Sequence, residues 1–315
     1  SQTIPRYSRK TIKQALSGRV EEELADGNIA EIVNWFKGQR RRRWILEQDE
    51  KRQNEKLLID DLDKFSKGRP TDFIVWNCLD FEWKQEPQGD YPPCRISNNL
   101  ETSIALYSLP RLKQVIGQLS SIGNPTIIPM VPSSEATYES MWNYLQSRAE
   151  REQVVDNAVS GLNQKFQETE FPNGVTIKTT RWDEYLKSRG VKKEPEEYSK
   201  NGEQRIWESS DADRVAKEAV DNGIEYFGRF GIEVNPEKIA PKRIRYYGMY
   251  EGEGEAMSDV RKNGFGVVVI NFEELRVSKM ALRGAQGKLP IVTPVTDEEM
   301  TAYYQWENEI KKRKT

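Results

Sequence analysis

Four short strand-like runs, separated by stretches of helical character, constrain this chain most. They are Phe73-Ile-Val-Trp-Asn-Cys78, Thr126-Ile-Ile-Pro-Met-Val131, Val175-Thr-Ile-Lys-Thr-Thr180 and the segment from Phe265 to Phe272. Each is strand-sized and rich in β-branched or aromatic residues. The first reads as a buried strand. Between them the spacing predicts helices over 102–121, 137–166 and 211–230, and a further helix that carries Tyr247. Ser133 and Ser134 stand where an N-cap for the second helix is expected, and Pro110 marks a break in the first. Strands alternating with helices predict an α/β domain with a mainly parallel sheet.

The flanks differ in character. Residues 1–66 read as a charged helical extension, with an amphipathic stretch from Ile29 to Phe36. A globular body is expected over 67–295, and a basic helix over 296–315 ends in Lys311 to Lys314. The stretch from Glu86 to Pro93 reads as a loop, and that from Lys187 to Gln204 as a charged linker containing proline and glycine. At 315 residues the chain is long enough for one large domain or two modest ones. Eight Trp, thirteen Tyr and ten Phe can fill a core although only 36% of residues are hydrophobic.

Charge and residue usage exclude several kinds of chemistry. The chain has no histidine and two cysteines, Cys78 and Cys94. A Ser-His-Asp triad is therefore impossible, as is a zinc site built from His or several Cys. The His-containing ATP motif of class I aminoacyl-tRNA synthetases is absent, and neither a Walker A loop nor a G-x-G-x-x-G fingerprint occurs. The glycines from Gly248 to Gly254 are spaced by acids that repel phosphate. With 48 basic and 50 acidic residues the net charge is −2, so any nucleic-acid contact must be a local patch. Two cysteines suggest a reduced compartment. No apolar run approaches the roughly 20 residues of a membrane span, and no signal peptide is visible in a start that reads as trimmed. These features predict a cytoplasmic protein with no membrane partner.

Acid–base chemistry near neutral pH then falls to carboxylates, tyrosines, lysines or cysteine. The segment Arg243-Ile-Arg-Tyr-Tyr-Gly-Met-Tyr-Glu-Gly-Glu-Gly-Glu-Ala-Met257 offers the densest set. As a helix it places Tyr247, Glu251 and Glu255 on one face at i, i+4 and i+8. Such a face either holds a substrate ammonium or is a solvated acidic surface. Gly252 and Gly254 each weaken a helix by roughly 1 kcal/mol, a cost that fits a ligand approaching the backbone.

Other candidates stand beside strand ends, where doubly wound folds bind ligands. Cys78 ends the first strand, and is either a nucleophile or a small buried residue. Asp80, Glu82, Glu135 and Asp183 follow strands. Clustered, they suit a guanidinium; singly, each reads as a cap or surface group. Arg40, Arg41, Arg42 and Arg43, with Trp35, Phe36 and Trp44 nearby, are candidate phosphate contacts. So are Arg148, Arg151, Lys187, Lys192 and Lys193. Neighbouring acids such as Glu47, Glu150 and Glu152 make a solvated face the plainer reading of any single patch.

The order of these segments resembles the tRNA-dependent cyclodipeptide synthases. In that family a first strand ends in a nucleophile, and a long helix follows. A later strand precedes a Trp-x-Asp-like motif, and a helix with Tyr-x-x-x-Glu leads into the last strand. Here the matching text is Cys78, residues 137–166, Thr180-Arg-Trp182-Asp183, and Tyr247-Gly-Met-Tyr-Glu251 before Val267-Val-Val-Ile-Asn-Phe272. The likeness spans roughly residues 70–275. Cys replaces the family's Ser, and the family's Gly before the nucleophile and Asn after it are unmatched. These departures resemble the divergent fungal branch that makes arginine-containing cyclic dipeptides.

The resemblance implies a Rossmann-like domain related to class I synthetases without the ATP site. It implies transfer from aminoacyl-tRNAs, one of them arginyl-tRNA, to a cyclic dipeptide through an acyl-enzyme, with no cofactor and no metal. It further implies Cys78, Tyr247, Glu251 and Glu255 as catalytic groups, and Asn77, Asp80, Glu82, Asp183 and Phe272 around the substrate. Arg40 to Arg43, Arg148, Arg151, Lys192 and Lys193 would lie along tRNA. An isocyanide synthase, working on a free amino acid, is similar in segment order. A non-catalytic RNA-binding module on the same scaffold is the non-enzymatic alternative.

Overall fold

The computed structural model describes residues 29–38, 48–77, 80–84, 91–97, 100, 103–133, 145–272 and 275–312. Its centre is a parallel sheet. β1 (Thr71–Trp76), β4 (Thr126–Val131) and β7 (Gly266–Ile270) are its long strands; β5 (Thr176–Ile177), β6 (Thr180–Arg181) and β8 (Ile291–Val292) are short. The order is β5–β4–β1–β7–β8, with β6 also on β4, and every pairing is parallel. A separate antiparallel hairpin joins β2 (Asp80–Trp83) to β3 (Cys94–Ser97). The fold is α/β and Rossmann-like. Chain direction across the sheet reverses between β1 and β7, which makes the carboxyl ends of those two strands the switch point.

Side chains of the long strands alternate between two cores. Phe73, Val75, Ile127, Val131, Val268 and Ile270 fill one face; Ile74, Trp76, Ile128, Met130, Val267 and Val269 fill the other. Both faces being covered explains why these strands are apolar without alternation. The first core takes residues from α1 (Ile29–Gly38), α2 (Gln48–Ser66), α4 (Leu109–Ser120), α5 (Arg148–Gln167) and α11 (Asp297–Lys312). Leu58, Leu62 and Phe65 of α2 and Tyr303 and Trp306 of α11 therefore bury against the same sheet face as the central strands. Arg111 of α4 also ties α11 down through a 2.6 Å bond to Glu299. The short α3 (Ile104–Tyr107) precedes α4, where Pro110 sits in the first turn and so costs no hydrogen bond.

The second core is covered by α6 (Trp182–Ser188), α7 (Pro195–Glu208), α8 (Ala212–Arg229), α9 (Pro236–Lys262) and α10 (Leu275–Gly284). α9 is the longest helix among the described residues, at 27 residues. Asn235 caps it, accepting from the N–H groups of Glu237 and Lys238. Its glycines serve helix packing. A Cβ on Gly252 would lie 2.4 Å from the Tyr198 carbonyl oxygen of α7. One on Gly254 would lie 1.9 Å from the Ala281 carbonyl oxygen of α10. The close approach expected at these glycines is that of two helix backbones, not of a ligand.

Three local expectations are corrected. The segment expected to be a linker, 187–204, contains most of α7. Pro195 is its first residue, where no N–H is needed, and Gly202 is where α9 crosses: a Cβ there would lie 2.1 Å from the Gly248 carbonyl oxygen. The helix expected over 137–166 is described from Arg148, and its cap is Ser147. Ser147 and Glu150 form a reciprocal capping box, while Ser133 is engaged elsewhere. The strand expected over 175–180 is two short pairings, because only Thr176–Ile177 and Thr180–Arg181 meet β4.

Candidate active site

Two regions concentrate polar groups. One is the carboxyl edge of the sheet, and the other is the face of α9 turned toward α7 and α10. Trp76, the last residue of β1, meets the Tyr250 ring edge-on at 6.3 Å. Tyr250 and Tyr246, one turn apart on α9, approach at 4.9 Å between rings and at 3.0 Å between hydroxyl oxygens. Tyr246 packs against both cores, which places it where the two sheet faces meet. Asn77 follows Trp76 and is 3% exposed. Its Oδ1 accepts from Ser103 Oγ at 2.7 Å and from the Ala105 N–H at 3.2 Å. Across the switch point, Asn271 donates from Nδ2 to Ser278 Oγ at 2.7 Å, and Phe272 is fully buried in the first core.

The stripe of Tyr247, Glu251 and Glu255 is present on α9, but it faces neighbouring helices. Tyr247 is 2% exposed and lies within the second core. Glu251 is 1% exposed. Arg205 Nε of α7 donates to its Oε1 at 2.9 Å, and Arg283 Nε of α10 lies 3.3 Å from its Oε2. Arg205 also donates from Nη1 to Glu255 Oε2 at 2.5 Å, and Lys193 Nζ lies 3.6 Å from Glu255 Oε1. Arg283 reaches Asp211 as well, at 3.1 Å. Burial raises the Glu251 carboxyl above its ordinary value, and the two arginines oppose that shift.

Helix geometry separates the members of this stripe. Tyr250 stands beside the carboxyl end of β1, whereas Arg261, farther along α9, donates to the Val267 carbonyl at the amino end of β7. At 1.5 Å per residue, Glu255 lies about 7 Å beyond Tyr250 toward the amino edge. Lys192 and Lys193 lie on that side too. They follow Arg189, whose guanidinium forks onto Asp72 near the start of β1 at 2.7 and 3.0 Å.

Of the carboxylates expected around a guanidinium, the two whose side chains are described, Glu82 and Asp183, each pair with an arginine of the chain itself. Glu82 lies on the hairpin, paired with Arg95 at 2.5 Å. Asp183 opens α6, where it accepts from Ser133 Oγ at 2.6 Å and from Arg181 Nε at 3.2 Å. Burial opposes ionisation of Asp183, but Ser133 and Arg181 outweigh it and hold its carboxyl below the ordinary range. Arg181 reaches Asp156 on α5 at 2.9 Å, so it ties helices to the sheet edge. Cys78, Glu135 and Arg40 to Arg43 lie outside the described residues, as does the side chain of Asp80. Arg151 donates to the Gln146 carbonyl at 2.6 Å, while Arg148 is exposed at the start of α5.

Sequence reasoning missed Arg205 and Arg283, the two cations on Glu251. Arg205 lies just past the stretch 187–204 that reads as a linker and before the helix expected from 211, and nothing local links Arg283 to a position 32 residues earlier. It also missed Arg243, 2% exposed, which donates to Ala219 O at 3.2 Å and Asn222 Oδ1 at 2.6 Å and stacks 4.5 Å from the Tyr246 ring. The i, i+3 spacing of Arg243 to Tyr246 was the available signal. Among the described residues, no group of three or more Cys, Asp and Glu side chains could hold a metal ion. Nor is any described helix long and apolar enough to cross a membrane. Comparison with protein-family models, with curated proteins and with solved structures finds no match.

Proposed function

We propose that this chain transfers aminoacyl groups from charged tRNA and releases a cyclic dipeptide. The observation that carries the reading is the arrangement at the switch point. Trp76, the last residue of β1, meets Tyr250 of α9, the helix that leads into β7, and Tyr246 lies against Tyr250. This is the chain order that the resemblance to cyclodipeptide synthases requires. The substrate esters are already activated, so positioning at a strand end supplies most of what such a reaction needs. In this reading Cys78, next after Asn77, receives the first aminoacyl group as a thioester. The amine of the second aminoacyl-tRNA then attacks that thioester, and ring closure releases the product. Charged tRNA places the reaction in the cytoplasm.

The geometry adjusts the assigned roles. Glu251 and Glu255 are engaged by Arg205, Arg283 and Lys193, so their part is to hold α9 and its tyrosines in place. Tyr250, beside Trp76, and Tyr246, which contacts it, take their place as the phenols at the strand end. Glu82 and Asp183 are already paired within the chain. The proposal is therefore for the reaction class, without arginine as a named substrate.

The test is incubation of the purified protein with a mixture of aminoacyl-tRNAs, with and without ribonuclease. A cyclic dipeptide that disappears on ribonuclease treatment supports the reading. Product made from free amino acid, unaffected by ribonuclease, replaces it with isocyanide-type chemistry. Salt-sensitive RNA binding without any product replaces it with a binding module.

A further inference from the structure

One buried polar side chain at the carboxyl edge is oriented by the fold without being used up by it. Asn77 is 3% exposed, and its backbone N–H donates to Met130 O at 3.2 Å, extending the ladder between β1 and β4. Chemistry fixes which way its amide points. The Ala105 N–H can only donate, so the atom 3.2 Å from it is the amide oxygen. Ser103 Oγ donates to the same oxygen at 2.7 Å. The NH2 group is thereby turned away from these two partners, and no bond from it is found among the described residues; it is not one of the fully buried polar atoms that lack a partner, so it keeps contact with solvent. A ligand that supplies an acceptor can take the place of that solvent. The location is the switch point, where ligands of this fold class bind.

Resting on the transferase reading above, we propose that Asn77 Nδ2 donates a hydrogen bond to the carbonyl oxygen of the aminoacyl ester, with Ser103 and the Ala105 N–H as its positioning groups. The acceptor nucleophile forms a bond to the ester carbon, and the carbonyl π pair moves onto oxygen. The oxyanion so formed is the group that Asn77 meets. Collapse re-forms the carbonyl and breaks the bond to the ribose oxygen, which takes the proton released by the nucleophile. A neutral amide suits this task because it donates at every pH at which the protein folds. Two bonds to its oxygen hold the donor before the charge develops, which is when such a donor is worth most.

The test compares wild type with Asn77→Asp and Ser103→Ala in single-turnover transfer from labelled aminoacyl-tRNA, alongside thermal midpoints. Asn77→Asp keeps the oxygen that Ser103 and Ala105 bind, and replaces the donor with an acceptor. The expected result is a fall of about 100-fold or more in the rate at saturating aminoacyl-tRNA, with KM unchanged. Ser103→Ala leaves the donor but loosens its aim, and is expected to lower the same rate by less. A wild-type rate for Asn77→Asp overturns the proposal, as does a change confined to KM. If Asn77→Asp does not fold, Ser103→Ala decides: a wild-type rate overturns the proposal, and a lowered rate at unchanged KM supports it. If wild type itself transfers nothing, the transferase reading and this proposal fall together.

Discussion

Gly252→Ala is the substitution on which helix propensity and packing disagree most sharply. Propensity alone favours Ala over Gly in a helix interior by about 1 kcal/mol. The structure sets a backbone in the way. The new Cβ would lie 2.4 Å from the Tyr198 carbonyl oxygen, 2.5 Å from its carbon and 2.8 Å from the Ser199 nitrogen. A backbone cannot swing aside as a side-chain tip can, so the cost belongs at the upper end of overpacking, about 3 kcal/mol. The net effect is a loss of about 2 kcal/mol, or roughly 3 °C in Tm for a chain of this size. Gly117→Ala in α4 is the control, because nothing lies within 4 Å of its Cβ position. It should gain up to about 1 kcal/mol. Thermal unfolding followed by tryptophan fluorescence reads both. Equal and favourable shifts in the two variants would refute the packing of α9 on α7. So would a Gly252→Ala protein of unchanged stability that loses activity alone, since that would return the glycine to a ligand.

Glu251→Gln should show a pH-dependent stability difference. Burial holds the Glu251 carboxyl above its ordinary value in the folded state, so folding favours its protonated form. That contribution is fully present below the unfolded pKa and is lost as pH rises through the folded one, so wild type's margin over Glu251→Gln should be larger near about pH 4 than near about pH 7. A margin that grows with pH in urea titrations would contradict the assignment. Tyr250→Phe removes the hydroxyl contact with Tyr246, which should cost no more than about 1.5 kcal/mol of stability while lowering product yield; full yield would take Tyr250 out of the site. Cys94 is fully buried and its thiol is pushed up by burial, so native protein should resist iodoacetamide at this position until it is denatured. Native-state labelling of Cys94, read by peptide mass mapping, would overturn that packing.

The parallel sheet was legible because its strands are buried on both faces. Ile74, Val75, Val267 and Val268 must all be apolar when each face carries helices, and that requirement is written in the residues. The helix bearing Tyr247 was legible from period. What its faces meet was not. A stripe of Tyr and Glu at i, i+4 and i+8 reads the same whether it faces solvent, substrate or arginines, and the choice was made by Arg205 and Arg283 from other helices. The α7 segment was misread because Pro and Gly are breakers in isolation. Pro195 is harmless at a first helical position, and Gly202 is required by the crossing of α9, a contact about 50 residues away in sequence. Asn77 was visible as a residue at a strand end. That its amide oxygen is held by Ser103 and Ala105, which turns its nitrogen away from them, depends on a turn that sequence does not place.

The transferase reading is tested most directly by mass spectrometry of extracts from cells expressing this chain, set against cells carrying an empty vector and cells expressing Asn77→Asp. The account predicts a new small molecule with the mass of a cyclic dipeptide, present with wild type, absent with the empty vector and strongly reduced with Asn77→Asp. The masses of its two residues would also identify the amino acids used. Extracts of wild type and empty vector that match in every small-molecule ion, with the protein present and folded, would contradict the reading.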